Sequence, residues 1–146
     1  MVREEYSVSL KSIVEEQGLT VLHAAKDFDT ARVATADINR PALQLAGFYD
    51  YFDPKRLQLI GRVESTYLQT LGDEARLSAL ERFMRFDISA LILCHDTQPM
   101  PELMELAEKY DRNLLSTKED TSTFMADLIS MLRNAMAPRV TLHGVL

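Results

Sequence analysis

The sequence predicts an α/β protein, a three-layer α/β/α sandwich around a small parallel or mixed sheet. Three observations predict it. Short apolar runs of strand length, such as Leu57-Gln58-Leu59-Ile60 and Ile88 to Cys94, alternate with longer segments whose apolar residues recur every three or four positions. The second of these runs is apolar on consecutive rather than alternate residues, the pattern of a strand covered on both faces. No repeat, low-complexity tract or linker interrupts the alternation, so helices packed on the faces of one sheet follow naturally.

Val8, Leu10, Ile13 and Val14 mark a strand-to-helix unit with Ser9 as a candidate cap, and Gly18 ends the helix. Leu19 to His23 reads as a strand, and residues 24–34 carry no clear pattern. Asn39-Arg40-Pro41 then precedes a short apolar helix (Ala42, Leu43, Leu45, Ala46) that closes at Gly47. Proline suits a first helical turn, where its missing N–H costs nothing. Phe48, Tyr49, Tyr51 and Phe52 crowd around Asp50, and Asp53-Pro54 makes a turn. The strand Leu57–Ile60 ends at Gly61, ahead of Arg62, Glu64 and Tyr67.

Asp73 to Phe86 reads as an amphipathic helix, with Leu77, Leu80, Phe83 and Met84 inward and Arg76, Glu81, Arg82 and Arg85 outward. A buried strand over Ile88 to Cys94 precedes a helix from Pro101 to Tyr110, with Leu103, Leu106, Ala107 and Tyr110 inward. Asn113 to Leu115 is a short strand. Thr121 to Met136 is the longest helix, with Met125 and Met136 beside Leu128, Ile129 and Leu132 on a broad buried face. Pro138 bars its continuation, and Val140 to Leu146 reads as a final strand.

The chain of 146 residues fits one domain, and a chain near this size buries roughly 68–70% of its unfolded surface. Charged residues at 26% and apolar residues at 47% place it among globular proteins rather than disordered ones. The net charge of −6 argues against nucleic acid, which requires clustered cations. No apolar run approaches the ~18 residues of a membrane helix, and the first residues lack the apolar core of a signal peptide. A single cysteine, Cys94, excludes an internal disulfide. The expectation is a cytoplasmic protein with no membrane and no nucleic-acid partner.

Few residues suggest chemistry. His23, Cys94 and His95 lack zinc-type spacing, and Cys94 reads as a small buried apolar residue. His95-Asp96 leaves a strand where ligands gather in α/β sheets, or is simply a polar turn. Asp120-Thr121-Ser122-Thr123 opens the last helix, either as a phosphate-binding N-terminus or as an ordinary cap. Asn39, Arg40, Arg62 and Glu64 make a polar pocket for an anionic small molecule, or an internal pairing of Arg40 or Arg62 with Glu64 or Asp50. No nucleophile–base pair, metal cluster or G-x-x-x-x-G-K-[ST] phosphate loop is visible.

The stretch Ile38 to Leu68, INRPALQLAGFYDYFDPKRLQLIGRVESTYL, resembles the N-terminal domain of the bacterial HPr kinase/phosphorylase family. The family run Asn-Arg-Pro-Gly-Leu-x-Leu-Ala-Gly-Phe-Phe-Asp-Tyr-Phe, followed by Gly-x-x-Glu-x-x-Tyr-Leu, is matched by Asn39, Arg40, Pro41, Leu43, Leu45, Ala46, Gly47, Phe48, Asp50, Tyr51, Phe52, Gly61, Glu64, Tyr67 and Leu68. Ala42 and Tyr49 depart from it. A second match runs through Thr121-Ser122, Phe124-Met125 and Ala137-Pro138-Arg139 to Leu142-His143-Gly144-Val145-Leu146.

The resemblance implies a fold similar to the N-terminal domain of the muramyl-peptide ligases. It implies a parent that phosphorylates a serine of HPr with ATP and magnesium, reverses this by phosphorolysis, works as a homohexamer and governs carbon catabolite repression. Residues 1–137 are then expected to form a non-catalytic assembly or regulatory domain, and 138–146 to begin a C-terminal kinase domain that is missing. His143 is expected to be catalytic in the parent. ATP and magnesium belong to the parent, with no cofactor expected for this stretch. Its expected partners are its own kinase domain and other subunits, with HPr as the parent's substrate. The alternative function is sensing of a sugar phosphate or nucleotide sugar, with Asn39, Arg40, Arg62, Glu64, Thr121 and Ser122 as candidate contacts.

Overall fold

A computed structural model describes residues 6–137. The expected strand Val140–Leu146, with His143, and the proposed 138–146 segment lie outside the described residues. The elements are β1 (Val8–Ser9), α1 (Leu10–Gln17), β2 (Thr20–His23), β3 (Arg32–Val33), β4 (Ile38–Asn39), α2 (Ala42–Leu45), β5 (Leu57–Ile60), α3 (Arg62–Thr70), α4 (Asp73–Met84), β6 (Leu91–Leu93), α5 (Pro101–Tyr110), β7 (Leu114–Ser116) and α6 (Thr121–Met136).

Five strands form one mixed sheet in the order β2-β7-β6-β5-β4. β4, β5, β6 and β7 run parallel, and β2 joins antiparallel at the β7 edge. β1 and β3 pair separately. Because successive side chains point to opposite faces of a strand, each strand feeds two cores. Leu57, Leu59, Ile92, Cys94 and Leu115 meet α1 and α6 through Leu10, Ile13, Phe124, Leu128 and Leu132. Ile60, Leu91, Leu93 and Leu114 meet α2 to α5 through Leu45, Leu68, Leu80, Phe83, Met84, Leu103, Leu106 and Ala107. The three-layer α/β/α sandwich expected from the sequence is therefore present.

Local signals explain the element ends. Ser9 Oγ accepts the Ser12 N–H at 3.0 Å, and Gly18 closes α1 at φ +62°. Proline sits in the first turn of α5, and Asp111 ends that helix in the left-handed region at φ 55°. The Asp111 carboxylate then accepts the Lys26 N–H at 3.0 Å, while Asn113 Oδ1 accepts the Ala25 N–H at 2.8 Å. These bonds tether the 24–31 segment, which the sequence left unassigned.

Three details differ from the sequence expectation. Residues 62–70, to which the sequence assigns no element, form a helix, α3. Gly61 stands at its N-cap and the Glu64 carboxylate turns back to the Gly61 N–H, a cap built without a serine or threonine. Leu77 is not inward: it is 42% exposed, whereas Leu80, Phe83 and Met84 are fully buried. The aromatic run divides. Tyr49 stacks on Phe86 with centroids 4.8 Å apart, Phe52 packs edge-on to both, and the Arg82 guanidinium lies 4.7 Å from the Tyr49 ring centre. Phe48 and Tyr51 face outward.

Candidate functional site

The parallel strands all end on one edge of the sheet, where α/β proteins assemble their sites. Arg40 follows β4, Gly61 follows β5, Cys94 and His95 follow β6, and Thr117 to Asp120 follow β7 into α6. Four loops thus bring a small polar cluster together.

Its centre is an ion pair. Arg40 Nη2 donates to Glu64 Oε1 at 2.8 Å, and the Gly61 N–H donates to the same oxygen at 2.7 Å. The Glu64 side chain is 2% exposed and that of Arg40 34%. The internal pairing of Arg40 with Glu64 is thus present. Glycine at 61 is needed for this packing. A Cβ there would collide with Thr121 Oγ1 and lie 2.7 Å from Arg40 Nη2.

His95 and Asp96 both adopt left-handed backbone, at φ 64° and 53°. Such a conformation costs about 1–2 kcal/mol per residue without glycine. It is held by bonds from the His95 N–H to the Glu119 carbonyl and from the Asp96 N–H to the Thr117 carbonyl, both 2.9 Å. The turn aims the imidazole at the next helix, where Nε2 accepts the Thr121 N–H at 3.3 Å. Asp120 Oδ1 accepts the Thr123 N–H at 2.7 Å. That backbone bond, the Thr123 hydroxyl and the charge of Arg62 hold the Asp120 carboxyl below its usual range.

Beneath the turn, burial pushes the Cys94 thiol up to about 11, with the Thr121 hydroxyl and the Arg40 guanidinium pulling weakly the other way. The thiol is buried and protonated, as the sequence suggested, and is no nucleophile. Two polar atoms of the cluster are sealed from solvent without a partner at full hydrogen-bond geometry: Arg40 Nε, and Thr121 Oγ1, which meets the weakly accepting Cys94 sulfur.

Arg40, Glu64 and Thr121 are therefore brought together, with exposed Arg62 at the rim. Asn39 is used elsewhere: its Nδ2 donates to Gln44 Oε1 at 3.0 Å and Gln58 Oε1 at 2.7 Å, tying β4 to α2 and β5. Ser122 faces solvent. Gly61 was missed as a site residue, although the spacing Gly61-x-x-Glu64 carried the signal. Beside the cluster, between α3 and α5, lies a cavity of about 60 Å³ lined by Ile60, Leu68, Leu93 and Leu103 with Ser65 and Thr97 at its rim. That is far below the ~300–1,000 Å³ of typical small-molecule pockets.

The sequence holds no phosphate loop, and among the described residues no group of three His, Cys, Asp or Glu side chains could hold a metal. Among the same residues, no helix is long and apolar enough to cross a membrane.

Fold and site together define an α/β/α domain with a mixed five-stranded sheet, its parallel strands closing on an arginine–glutamate clasp. The profile of the HPr serine kinase N terminus matches residues 8–132, and the chain belongs to that family. It is 36% identical over 140 residues to the HPr kinase/phosphorylase of Alkaliphilus metalliredigens, covering 96% of this chain and 45% of that protein. Against the HPr kinase/phosphorylase of Caldanaerobacter subterraneus it is 37% identical over 137 residues, again with 45% of the relative covered. The HPr kinase/phosphorylase of Clostridium tetani is 37% identical over 139 residues, with the same share covered. The chain thus spans a little under half the length of the curated relatives it matches. In fold it is similar to the CBS and DRTGG domains of the regulatory region of Clostridium perfringens pyrophosphatase, solved with the activator diadenosine tetraphosphate. The TM-score is 0.62 at 17% identity, covering 92% of this chain and 52% of that one.

Proposed function

We propose that this chain is the non-catalytic assembly or regulatory domain of a bifunctional HPr serine kinase/phosphorylase acting in carbon catabolite control. The observation that carries the reading is the match to the first part of that family across 94–97% of the chain, joined to a sequence without a phosphate loop. Phosphoryl transfer between ATP-magnesium and HPr then falls to a C-terminal kinase domain, and His143 serves that chemistry there. The N-terminal domain positions subunits of a cytoplasmic homohexamer or relays signals between them.

Two experiments test this. The purified chain, incubated with HPr and ATP-magnesium, is expected to transfer no phosphate; transfer above background overturns the assignment. Deleting residues 1–137 from the full-length protein is expected to preserve transfer but change hexamer formation or the response to metabolites. An unchanged assembly and unchanged regulation count against the role.

The second reading is sensing of a sugar phosphate or nucleotide sugar. It is supported by two buried polar atoms without an oxygen partner, Arg40 Nε and Thr121 Oγ1, at the strand ends. Thermal-shift measurements with sugar phosphates and uridine nucleotides are expected to raise the melting temperature. No shift at millimolar ligand leaves the assembly role alone.

A further inference from the structure

We infer that the strand-end cluster is a closed oxyanion site, in which one phosphoryl oxygen of a small ligand is taken by the Thr121 hydroxyl and the Arg40 guanidinium at the start of α3. This deepens the sensing reading and rests on it.

The cluster is built from groups that lack an acceptor. Thr121 is 5% exposed and its Oγ1 has no partner beyond a weak contact with the Cys94 sulfur, although a hydroxyl withdrawn from water normally finds a full hydrogen bond. Arg40 Nε is sealed and unpartnered as well, and Arg can only donate. Both side chains converge on the bare face of Gly61, where a Cβ would collide with Thr121 Oγ1 and lie 2.7 Å from Arg40 Nη2. Two buried donors without an oxygen acceptor call for one.

Charge and position favour an anion. The nine-residue helix α3 starts at this point, and the N–H groups of its first turn have no carbonyl of their own helix to bond. Arg62 adds a second cation at the rim. The two carboxylates nearby are already engaged: Glu64 by Arg40 and the Gly61 N–H, Asp120 by the Thr123 N–H. Thr121's own N–H is held by His95, so its hydroxyl is the group left for a ligand. Arg40, one-third exposed, is the movable wall. A rotation of its guanidinium about the Nη2–Glu64 bond opens Thr121 to the surface while that pair persists. A phosphate monoester is the ligand class, since it places oxygens on Thr121, on Arg40 and on the α3 N–H groups together.

The probe is inorganic phosphate, titrated into ¹⁵N-labelled chain against chloride at equal ionic strength, followed by a phosphate monoester of a sugar. The expected result is saturable shifts at the Arg62, Val63 and Thr121 amides with phosphate but not with chloride. Thr121→Val is expected to fold with an unlowered melting temperature, because it removes a buried hydroxyl that meets no better acceptor than the Cys94 sulfur. The same substitution should weaken phosphate by about tenfold, the loss of one hydrogen bond to a charged group. Equal responses to phosphate, chloride and sugar phosphate overturn both this site and the sensing reading. Saturable sugar-phosphate binding with shifts elsewhere overturns the site and leaves sensing intact. Binding by the valine variant at wild-type strength overturns the role of Thr121. Gly61→Ala, which fills the space, should abolish the response; if it does not fold, the valine variant decides alone.

Discussion

Removing one side of the Arg40–Glu64 clasp should not cost the same as removing the other. The reason is the difference in exposure, 34% for Arg40 and 2% for Glu64. Arg40→Ala strands a carboxylate that water cannot reach and leaves it a single bond, from the Gly61 N–H. Stranding a buried charge costs about 3–5 kcal/mol. Glu64→Gln preserves an oxygen for the Gly61 N–H and strands only a guanidinium that solvent already touches. Its loss is the difference between a charged and a neutral hydrogen bond, about 1 kcal/mol. The arginine variant is thus expected to be less stable by about 2 kcal/mol or more. Urea unfolding of both, compared at equal m-values, measures it. The double variant should lose less than the sum of the two, because neither charge is then stranded. A glutamine variant as damaged as the alanine variant, or strictly additive effects, would refute the reasoning.

Three further outcomes follow from the same structure. Leu128→Ala should destabilise by about 2–5 kcal/mol, because Leu128 is fully buried between α6 and the sheet; an unchanged urea midpoint contradicts that packing. Cys94, buried with its thiol raised to about 11, should resist a thiol reagent at pH 8 in the folded chain and react at once in denaturant. Rapid labelling of native protein would exclude a sealed strand end. The folded Asp120 carboxyl is depressed, chiefly by the Thr123 N–H, so it contributes stability above its unfolded pKa and loses it as pH falls through the folded value. Asp120→Ala should accordingly lower the melting temperature at pH 7, with the gap to wild type closing in acid. A gap that widens in acid would reverse the assigned sign.

Much of the fold was legible because both faces of the sheet are covered. Strands such as β6 then read as continuous apolar runs, and the caps Ser9 and Asp120 announce α1 and α6. α3 was illegible for a physical reason. Val63, Thr66 and Thr70 are β-branched and disfavour helix, and Val63 is exposed, which blurs the apolar stripe. What holds that helix is a Gly61–Glu64 cap, a pattern easily mistaken for a strand end. Leu77 misled because its spacing from Leu80 and Met84 fits the buried stripe while its side chain stays 42% exposed.

At the site, residue types defined a set of candidates without revealing partners. Whether Arg40 met Glu64 or Asp50 depended on α3 existing. Asn39 turned away because the register places it opposite Gln58, and pairing register is not written in either segment alone. The aromatic run had no periodicity to separate Tyr49 and Phe52, which pack inward, from Phe48 and Tyr51, which do not.

One side of the sheet is covered by α1 and α6, the first and last helices of the described chain. A ribosome delivers these two at opposite ends of the synthesis of this stretch. Until α6 has emerged, Leu59, Ile92 and Leu115 have no complete cover, and the nascent chain presents a sticky sheet face to its surroundings. Such half-built forms are the ones that aggregate or engage chaperones. Arrested or proteolytically clipped chains lacking α6 should therefore be cleared by the cell rather than persist as smaller folded pieces.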